Sequence, residues 1–374
     1  MVPSLRVAAF LSLLLLYGSA AAHKPSDSYL TLAWNDTHPS AQWDIALRDL
    51  DYALGLDTDE NGEVTWGELR SQHGTVADYV LSHLAINTRT ASCDLMPGEQ
   101  LVDHHSDGAY SVLHFAVDCP NGAKPAVLEY DLFFELDPTH RGLARIDYPD
   151  EVQTAVLSPE EPRLELGLNT SAGWRQVAQY WREGIHHIWI GIDHILFLVA
   201  LLLPVGLVRA KGRWNNAKPF RSLLLELTGI VTAFTLAHSI TLSAAVLGLV
   251  SLPARWVEAV IAATVLAVAL HNLYPLLPGR RWMIAFGLGL VHGFGFASVL
   301  GDLGLPGKTL LQALLAFNLG VETGQLVIVM LLLPLLFLLR DTGFYRRAAM
   351  PVGSAVIGLI ASAWLIQRSA GIEL

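Results

Sequence analysis

The sequence predicts an α-helical polytopic membrane bundle of six spans, preceded by an exported, strand-rich α+β domain with an EF-hand-like loop. The first reason is composition: 52% of the 374 residues are hydrophobic and only 16% are charged, with a mean hydropathy of +0.42, which is too apolar for an ordinary soluble protein. A hydrophobic leader and a change to apolar composition near residue 174 are the other reasons. The net charge of −10, without clustered Lys and Arg outside short loops, argues against nucleic acid as a partner.

Residues 1–22 predict a cleaved signal peptide. Arg6 precedes an apolar run over residues 7–17, and small residues follow over 18–22, which is the pattern of a secretory signal. The run is too short for a membrane-spanning helix, which needs about 20 residues. Cleavage after residue 20 or 22 places His23 at or near the new N-terminus, where α-amine and imidazole together favour copper or nickel. An ordinary terminal histidine is the alternative.

Residues 23–173 predict one exported α+β domain. Hydrophobic and polar residues alternate over 110–117 and 127–134, which is typical of half-buried strands. Helical character is expected over 43–56 and 66–84. This mixture predicts a small sandwich or sheet with a helical insertion.

The two cysteines of the chain, Cys93 and Cys119, both fall in this exported domain. An oxidising compartment favours one disulfide between them. A pair of free, buried thiols is the alternative. The disulfide prediction therefore depends on export of the domain.

A twelve-residue acidic segment, residues 57–68, has the pattern of an EF-hand calcium loop. The predicted calcium ligands, one of them through its backbone carbonyl, are Asp57, Asp59, Asn61, Glu63, Thr65 and Glu68. Gly62 occupies the sixth position, where such loops turn sharply. Because the chain has a single loop of this kind, we expect a structural calcium ion rather than a regulatory switch. A solvated acidic turn is the alternative.

Residues 174–374 predict the membrane domain. The apolar stretches, each long enough for a helical span, are 185–207, 222–249, 257–277, 282–303, 309–339 and 348–367. The fifth is longer than a span requires, so it is expected to be tilted or to break near Gly320 and Gly324.

Positive charges predict the orientation of the spans. Lys and Arg concentrate in the loops after the first, third and fifth stretches, at positions 209, 211, 213, 218, 221, 280, 281, 340, 346 and 347. Basic loops remain on the cytoplasmic side, so both termini are expected outside, in agreement with the leader. The predicted location is a bacterial inner membrane, with the N-terminal domain and the C-terminus in the periplasm.

Ionisable residues inside the apolar stretches are costly to bury unless they face one another, water or a metal ion. We expect an intramembrane metal site that comprises His186, His187, Asp193, His194, His238, His292, Asn318 and Glu322. Helical spacing places the four of the first stretch on one broad face, and most of the set falls at mid-bilayer depth. The polar residues predicted to surround the site or line its pathway are Thr235, Thr241, Glu258, His271, Asp302 and Gln325.

Imidazole and carboxylate groups together suit nickel, cobalt, copper, zinc or iron rather than calcium or magnesium. The residues alone leave the metal open. A single histidine is more often a packing residue than a ligand, and a proton relay built from the same groups is an alternative. Glycines at positions 287, 289, 293 and 295 flank His292 and allow a neighbouring helix to approach closely.

Five short motifs of the membrane half resemble the HupE/UreJ family. They lie at residues 184–187 (GIHH), 191–194 (GIDH), 234–239 (FTLAHS), 291–297 (VHGFGFA) and 317–322 (FNLGVE). His187, followed after five residues by Asp193 and His194, is similar to the first-span signature of that family. The resemblance implies a nickel or cobalt permease linked to hydrogenase and urease maturation, with these three residues in its site.

The chain departs from the family pattern in two respects. Ile188 stands where the family usually has proline, and compact members lack a large exported domain. The chain is therefore similar to a longer branch of the family. The resemblance does not settle the substrate of that branch.

The sequence favours a metal permease, in which the exported domain collects or gates the ion. Its expected partners are the lipid bilayer, the metal ion and, by resemblance, metallochaperones or metalloenzyme maturation proteins. A membrane-bound metalloenzyme is one alternative, although no nucleophile elbow, phosphate loop or dinucleotide fingerprint is evident. An accessory protein that delivers or senses metal is another.

Overall fold

The computed structural model describes residues 27–33, 40–105, 108–148, 152–167, 172–204, 207–210, 213–216, 219–250, 252–274, 280–295 and 307–370. Within them, a strand-rich N-terminal domain precedes a group of apolar helices, as the sequence predicts. The predicted signal peptide, His23 and Asp302 lie outside the described residues.

The N-terminal domain contains two sheets. Its strands are β1 (Asp27–Ala33), β2 (Ser40–Ala46), β3 (Leu84–Asn87), β4 (Asp94–His105), β5 (Gly108–Asp118), β6 (Val127–Tyr130), β7 (Arg141–Asp147), β8 (Val152–Leu157) and β9 (Arg163–Glu165). The larger sheet has the order β4-β5-β2-β1-β7-β8, and the smaller one has the order β3-β6-β9. Strands β1 and β7 pair in parallel, and the other neighbours are antiparallel.

The two faces of the larger sheet have different roles. One face holds the hydrophobic core under three short helices, α1 (Leu47–Leu54), α2 (Trp66–Ser71) and α3 (His73–Ser82). Because side chains alternate along a strand, other residues point to the opposite face. There Tyr29 and Leu143 belong to a cluster that also contains residues of the membrane helices. The sheet is therefore packed on both sides.

Three local predictions for this domain were wrong. Residues 43–46 belong to β2 rather than to a helix, because strand pairing places Trp43 in the core. The predicted helix over 66–84 is interrupted at Gln72 and ends in a strand. The predicted strand over 127–134 ends at Tyr130, and turns follow it, with Phe133 at a positive φ of 61°.

Cys93 and Cys119 are joined by a disulfide. Cys93 precedes β4 and Cys119 follows β5, and these two strands pair directly. The bridge therefore closes the open end of a β-hairpin. Both cysteines are buried in the hydrophobic core.

The membrane part consists of apolar helices and one hairpin. The helices are α4 (Ala172–Ile190), α5 (Ile192–Leu202), α6 (Phe220–Val246), α7 (Ala254–Leu273), α8 (Arg281–His292), α9 (Gly307–Leu339) and α10 (Met350–Ala370), and a hairpin of β10 (Leu207–Ala210) and β11 (Arg213–Asn216) follows α5. Within the described residues, four helical segments are long and apolar enough to cross a membrane: Phe220–Val246, Ala254–Leu273, Leu310–Leu339 and Tyr345–Ala370. The bent pair α4 and α5 adds a fifth if both halves form one span. Helix α8 has 12 residues, and the remainder of the predicted fourth span lies largely outside the described residues.

The structure shows a bend that the sequence did not predict and excludes the break that was one of two expected alternatives for the fifth stretch. The first apolar stretch is not one straight helix, since α4 and α5 meet at an angle of 70°. Conversely, α9 continues without a break through Gly320 and Gly324. These glycines instead let α4 approach: a Cβ atom on Gly320 would collide with the carbonyl oxygen of Trp181. Small residues at such positions allow close packing of helix backbones.

Contacts between helices give their relative directions. Two helix pairs run parallel, with Gly184 against Gly320 and Ile188 against Gly324 in one pair, and Phe234 against Gly289 and His238 against Gly293 in the other. Helices α7 and α10 run antiparallel: Asn272 bonds Ser354 near one end, and Arg255 bonds the Arg368 carbonyl near the other. These directions are those expected for spans that alternate across a membrane.

Candidate metal site in the membrane helices

The break between α4 and α5 brings two predicted ligands together. Gly191 separates the helices, and a Cβ atom there would lie 2.5 Å from His194 Nδ1 and 2.9 Å from the His187 carbonyl oxygen. A larger residue would therefore disturb both histidines. Asp193 lies in the first turn of α5, and its Oδ1 atom accepts a hydrogen bond of 2.9 Å from the His194 backbone N–H. A helix N-terminus also favours a carboxylate electrostatically.

Four imidazole rings from four helices form a row. The ring centroids of His187 and His194 are 4.7 Å apart, those of His194 and His292 are 5.3 Å apart, and those of His187 and His238 are 6.4 Å apart. His194, His238 and His292 are buried, and His187 is partly buried. Phenylalanine rings pack against the row, with Phe197 and Phe234 each 5.3 Å from the His292 ring. We call these four residues the histidine row.

The hydrogen bonds of His238 show which of its nitrogens carries the proton. Asn318 Nδ2 donates to the Leu314 carbonyl at 2.8 Å, so Asn318 Oδ1 faces His238 Nδ1, at 3.1 Å, as an acceptor. His238 Nδ1 therefore donates, and Nε2 holds the lone pair of the neutral ring. This buried Nε2 atom has no hydrogen-bond partner in the described part of the chain.

In His292, the two ring nitrogens have the opposite roles to those in His238. Thr264 Oγ1 donates to the Ile261 carbonyl at 2.6 Å, so it accepts a hydrogen bond from His292 Nε2 at 3.0 Å. The lone pair is then on Nδ1, which has no hydrogen-bond partner among the described residues. A proton on the nitrogen that faces a second partner is the usual state of a metal-binding histidine.

His194 is the third histidine of the row with an unpaired ring nitrogen. Its Nδ1 lies 3.0 Å from Asp193 Oδ1 in an ion-pair contact that lacks the geometry of a hydrogen bond. Both ring nitrogens of His194 are therefore buried without a hydrogen-bond partner in the described ranges. Unpaired buried polar atoms are costly and need an explanation. Such atoms on three imidazoles of the row suit a ligand that accepts lone pairs, such as a transition-metal cation.

The row is nevertheless not a closed coordination sphere. Among the described residues, only Asp57, Asp59 and Glu68 place three His, Cys, Asp or Glu ligand atoms within 4.8 Å of one another. The expected convergence of all membrane ligands on one point is therefore not seen. An ion would contact neighbouring members of the row in turn or draw them together.

Several predicted site residues lie beside the row or away from it. Glu322 accepts a hydrogen bond of 2.6 Å from Thr232, at a partly exposed edge between α6 and α9. Thr235 donates to the buried Gln325 at 3.3 Å. Thr241 bonds backbone carbonyls of its own helix. Thr232 was not predicted from the sequence, because a threonine in an apolar helix carries no signal of its own.

His186 does not share a face with His187, contrary to the expectation from helical spacing. Arg141 of β7 donates to His186 Nε2 at 3.0 Å, and its Nε atom lies 3.7 Å from Glu183. Neighbouring residues on a helix point about 100° apart, and the N-terminal domain covers the side on which His186 lies. His186 therefore connects the two parts of the protein.

The remaining pathway residues lie near the ends of the helices. His271 lines a small pocket with Asn272 and Arg281, at the end of α5 opposite to Asp193. The backbone carbonyl of Glu258 accepts a hydrogen bond from Arg368. Arg368 also lies 3.9 Å from Asp193. The sequence analysis overlooked Arg368, whose only signal was a charge just beyond the last apolar stretch.

Close helix packing sets the level of His292 relative to His238. A Cβ atom on Gly289 would lie 2.5 Å from the Phe234 carbonyl oxygen, and one on Gly293 would collide with the His238 carbonyl and with Thr241. The expectation of close approach around His292 therefore applies to these two glycines, and to Gly295, where a Cβ atom would lie 3.1 Å from Ile261 Cδ1. A Cβ atom on Gly287 would meet nothing within 4 Å.

The matching family model covers the helices that carry this site. The model described as HupE / UreJ protein matches residues 165–368, slightly more than half of the chain. The chain belongs to the HupE/UreJ family. No curated protein sequence matches it significantly. The HupE/UreJ family is associated with nickel or cobalt transport and with urease or hydrogenase maturation, and four membrane-length helices agree with an integral membrane protein.

The HupE/UreJ match leaves most of the N-terminal domain uncovered, including the acidic loop. In that loop, Asp57 Oδ2 accepts a hydrogen bond of 2.7 Å from the Gly62 N–H, and Gly62 has a φ of +86°. The pKa of Glu68 is lowered to about 2, because the backbone N–H and then the hydroxyl of Thr65 donate to its carboxylate, followed by Thr58. Three carboxylates, those of Asp57, Asp59 and Glu68, thus converge in a turn of defined shape.

The other predicted calcium ligands occupy the same loop. Asn61 Oδ1 accepts from the Glu63 N–H at 2.8 Å, and Thr65 caps α2 with Glu68 in a reciprocal capping box. Glu68 thus already has a structural partner, so a calcium ion would have to share its carboxylate. The hydrogen bonds and the positive φ of Gly62 fit a calcium loop, and the capping box alone is also satisfied without one.

Proposed function

We propose that this HupE/UreJ protein is a permease for a divalent transition metal of the nickel or cobalt type. The observation that carries the proposal is the set of buried imidazole nitrogens on His194, His238 and His292 that have no hydrogen-bond partner in the described residues. Neutral imidazole suits nickel and cobalt, whereas calcium and magnesium prefer oxygen. The family association supports the same class of cargo.

The proposed path follows the histidine row. The ion meets His187 at the α4–α5 break and passes to His194, Asp193 and then His292, with His238 on the other side of His187. Ring separations of 4.7 to 6.4 Å let an ion bridge neighbouring rings after small side-chain movements. The pocket beside His271 and Asn272 supplies polar groups for the exit. Moderate, sequential binding suits conduction better than one tight site.

We further propose the six-span topology, with the bent pair α4–α5 and the α8 region as the first and fourth spans. The parallel and antiparallel helix contacts support it, because each pair has the relative direction that alternating spans require. The N-terminal domain and the C-terminus are then on the outer side. Arg141, through His186 and Glu183, connects that domain to the helix that carries His187.

Flux measurements on purified protein test the permease. We expect proteoliposomes with the full chain to take up Ni²⁺ or Co²⁺, and His194→Ala and Asp193→Ala to reduce uptake to the level of empty vesicles. His114→Ala, which removes an imidazole from β5 in the N-terminal domain, serves as the matched control and should leave uptake unchanged. Uptake at the wild-type rate in both membrane variants would disprove the proposed path.

The same experiment separates the alternative functions. Stoichiometric Ni²⁺ binding without flux would favour an accessory protein that delivers or senses metal, together with a metallochaperone or maturation partner. Chemical turnover of a substrate that depends on the histidine row would favour a membrane metalloenzyme. Proton flux without any metal binding would favour a proton relay.

We also propose that residues 57–68 bind one structural calcium ion. The convergence of Asp57, Asp59 and Glu68 within 4.8 Å and the positive φ of Gly62 support this assignment. Asn61, the Glu63 carbonyl and Thr65 would complete the ligand set. Calcium titration of the purified chain, monitored by calorimetry, should give one site per chain, and an absence of heat at millimolar calcium would disprove it.

A further inference from the structure

The two carboxylate oxygens of Asp193 face different groups. Oδ1 lies 3.0 Å from His194 Nδ1 in the histidine row, and Oδ2 lies 3.9 Å from Arg368 Nη1 of α10. The Asp193 and Arg368 side chains are both largely buried, at 18% and 16% exposure. One carboxylate is therefore shared between the proposed cargo site and a permanently charged cation.

Arg368 lies close to Asp193 but does not form a hydrogen bond with it. Its Nη1 donates to the Glu258 carbonyl at 3.2 Å, and its guanidinium lies 5.5 Å from the Trp364 ring. The separation of 3.9 Å from Asp193 is too long for a hydrogen bond. Arg255 anchors the end of α10 by donating to the carbonyls of Arg368 and Ser369. The guanidinium is thus positioned to approach or withdraw from the carboxylate by side-chain rotation.

We propose that Arg368 is an internal competitor of the transported cation at Asp193. This inference rests on the proposed permease and concerns how its site releases cargo. Without a metal ion, Arg368 compensates the buried negative charge of Asp193, which would otherwise be costly. When a divalent ion binds His194 and Asp193, the nearby guanidinium repels it. The guanidinium therefore weakens binding and favours release.

The competition helps the ion to leave Asp193. Imidazole nitrogen and carboxylate oxygen both ligate nickel, and each step of a conducting row has to bind weakly enough for the ion to move on. A tethered cation lowers affinity without removing any ligand. Arg368 acts on the ion by its charge, both by competing for Asp193 and by repulsion, and need not contact it.

Charge removal at Arg368 is the test. In detergent-solubilised full chain titrated with NiCl₂, Arg368→Gln should bind Ni²⁺ roughly tenfold or more tightly, since an arginine at this distance has effects of that order on a carboxylate. Its Ni²⁺ flux into proteoliposomes should fall. Arg368→Lys keeps the charge and should retain affinity within about threefold. Arg347→Gln, which removes the same charge from an exposed position just before α10, is the matched control and should retain wild-type affinity.

If Arg368→Gln folds poorly, the same substitution in a chain that also carries Asp193→Asn tests the proposal. Asp193→Asn/Arg368→Gln lacks both charges, so it leaves no unpaired buried ion, and it should bind Ni²⁺ several-fold more tightly than Asp193→Asn. Unchanged or weaker binding on removal of Arg368 in both backgrounds would overturn the proposal while leaving the permease intact. A wild-type chain that neither binds nor moves Ni²⁺ would instead overturn the proposed function, and this inference with it.

Discussion

Two regions of the molecule carry metal-ligand side chains, and they are assembled in opposite ways. In the acidic loop, oxygen atoms from residues 57–68 converge within 4.8 Å at an exposed turn. In the histidine row, nitrogen atoms come from four helices, are mostly buried, and do not converge on one point. One set of ligands is local and closed, and the other is distributed and open.

The way in which each set of side chains is assembled suits a different role. A short loop fixes its ligands through backbone turns, so it is suited to hold an ion in place. A row of side chains on separate helices can change its spacing when the helices or rotamers move, which is suited to passing an ion onward. The comparison predicts that the loop contributes to stability and the row to transport.

The largest expected effect concerns the packing that aligns the row. Gly293→Ala should abolish Ni²⁺ uptake and lower stability by roughly 1–3 kcal/mol or more, the usual cost of overpacking, because its new methyl group collides with the His238 carbonyl and Thr241. Gly287→Ala, with nothing within 4 Å, is the matched control on α8 and should be neutral or slightly stabilising. Proteoliposome uptake and thermal unfolding distinguish them. Equal behaviour of the two variants would contradict the packing argument.

The next effect concerns a residue that touches the row without belonging to it. Asn318→Leu removes the acceptor that fixes His238 Nδ1–H, and loss of such a supporting bond usually lowers metal affinity by about 10–100-fold. Ni²⁺ affinity of the purified chain is the measurement. Ser362→Ala, which removes a hydroxyl bonded within α10, should bind like the wild type. An Asn318→Leu chain with full affinity would exclude His238 from the site.

A smaller effect is expected at the acidic loop. Saturating calcium, at about 100 times the dissociation constant, should stabilise the N-terminal domain by about 2.7 kcal/mol through mass action, without changing Ni²⁺ affinity. Asp57→Asn should reduce this stabilisation, and Glu60→Gln, at a loop position that is not a predicted ligand, should not. The unfolding temperature with calcium or a chelator is the readout. A calcium-dependent change in Ni²⁺ flux would break the proposed separation of roles.

For transport, the smallest effect is expected from a pH-dependent group inside the N-terminal domain. Burial lowers the pKa of His140 to about 3 from 6.5, and the Tyr130 hydroxyl lies 2.6 Å from its Nε2. The unfolded chain binds a proton below about pH 6.5, whereas the folded one stays neutral until about pH 3. Stability is therefore full above pH 6.5 and falls by up to about 1.4 kcal/mol per pH unit between these values. Chemical unfolding at stepped pH should show this slope, and His140→Gln should flatten it.

The sequence was most informative where function depends on local pattern. The apolar stretches, the strand-rich N-terminal domain and the family motifs are visible in short windows, and so is the Gly62 position of the loop. The family prediction is confirmed. The disulfide partners also follow from the sequence, because the chain has two cysteines.

The remaining features of the fold and the site depend on tertiary contacts. No sequence feature near Gly191 predicts the bend of 70° between α4 and α5. This bend depends on how α5 packs against other helices. His186 and His187 are adjacent in sequence, yet Arg141 from a distant strand holds one of them away from the row. Glu322 bonds Thr232, and Asp193 faces Arg368, across separations that periodicity does not report.

Helix α4 belongs to both halves of the molecule. Gln176 donates to Thr154, and Gln179 donates to the Val156 carbonyl, so the upper turns of this helix are bonded to an edge strand of the sheet. Its last turn, which ends at Ile190, carries His187. In a chimera, the two halves can therefore not be separated near residue 173 without loss of contacts, because side chains of α4 bond the N-terminal domain. A transplanted N-terminal domain would need its own α4 to come with it.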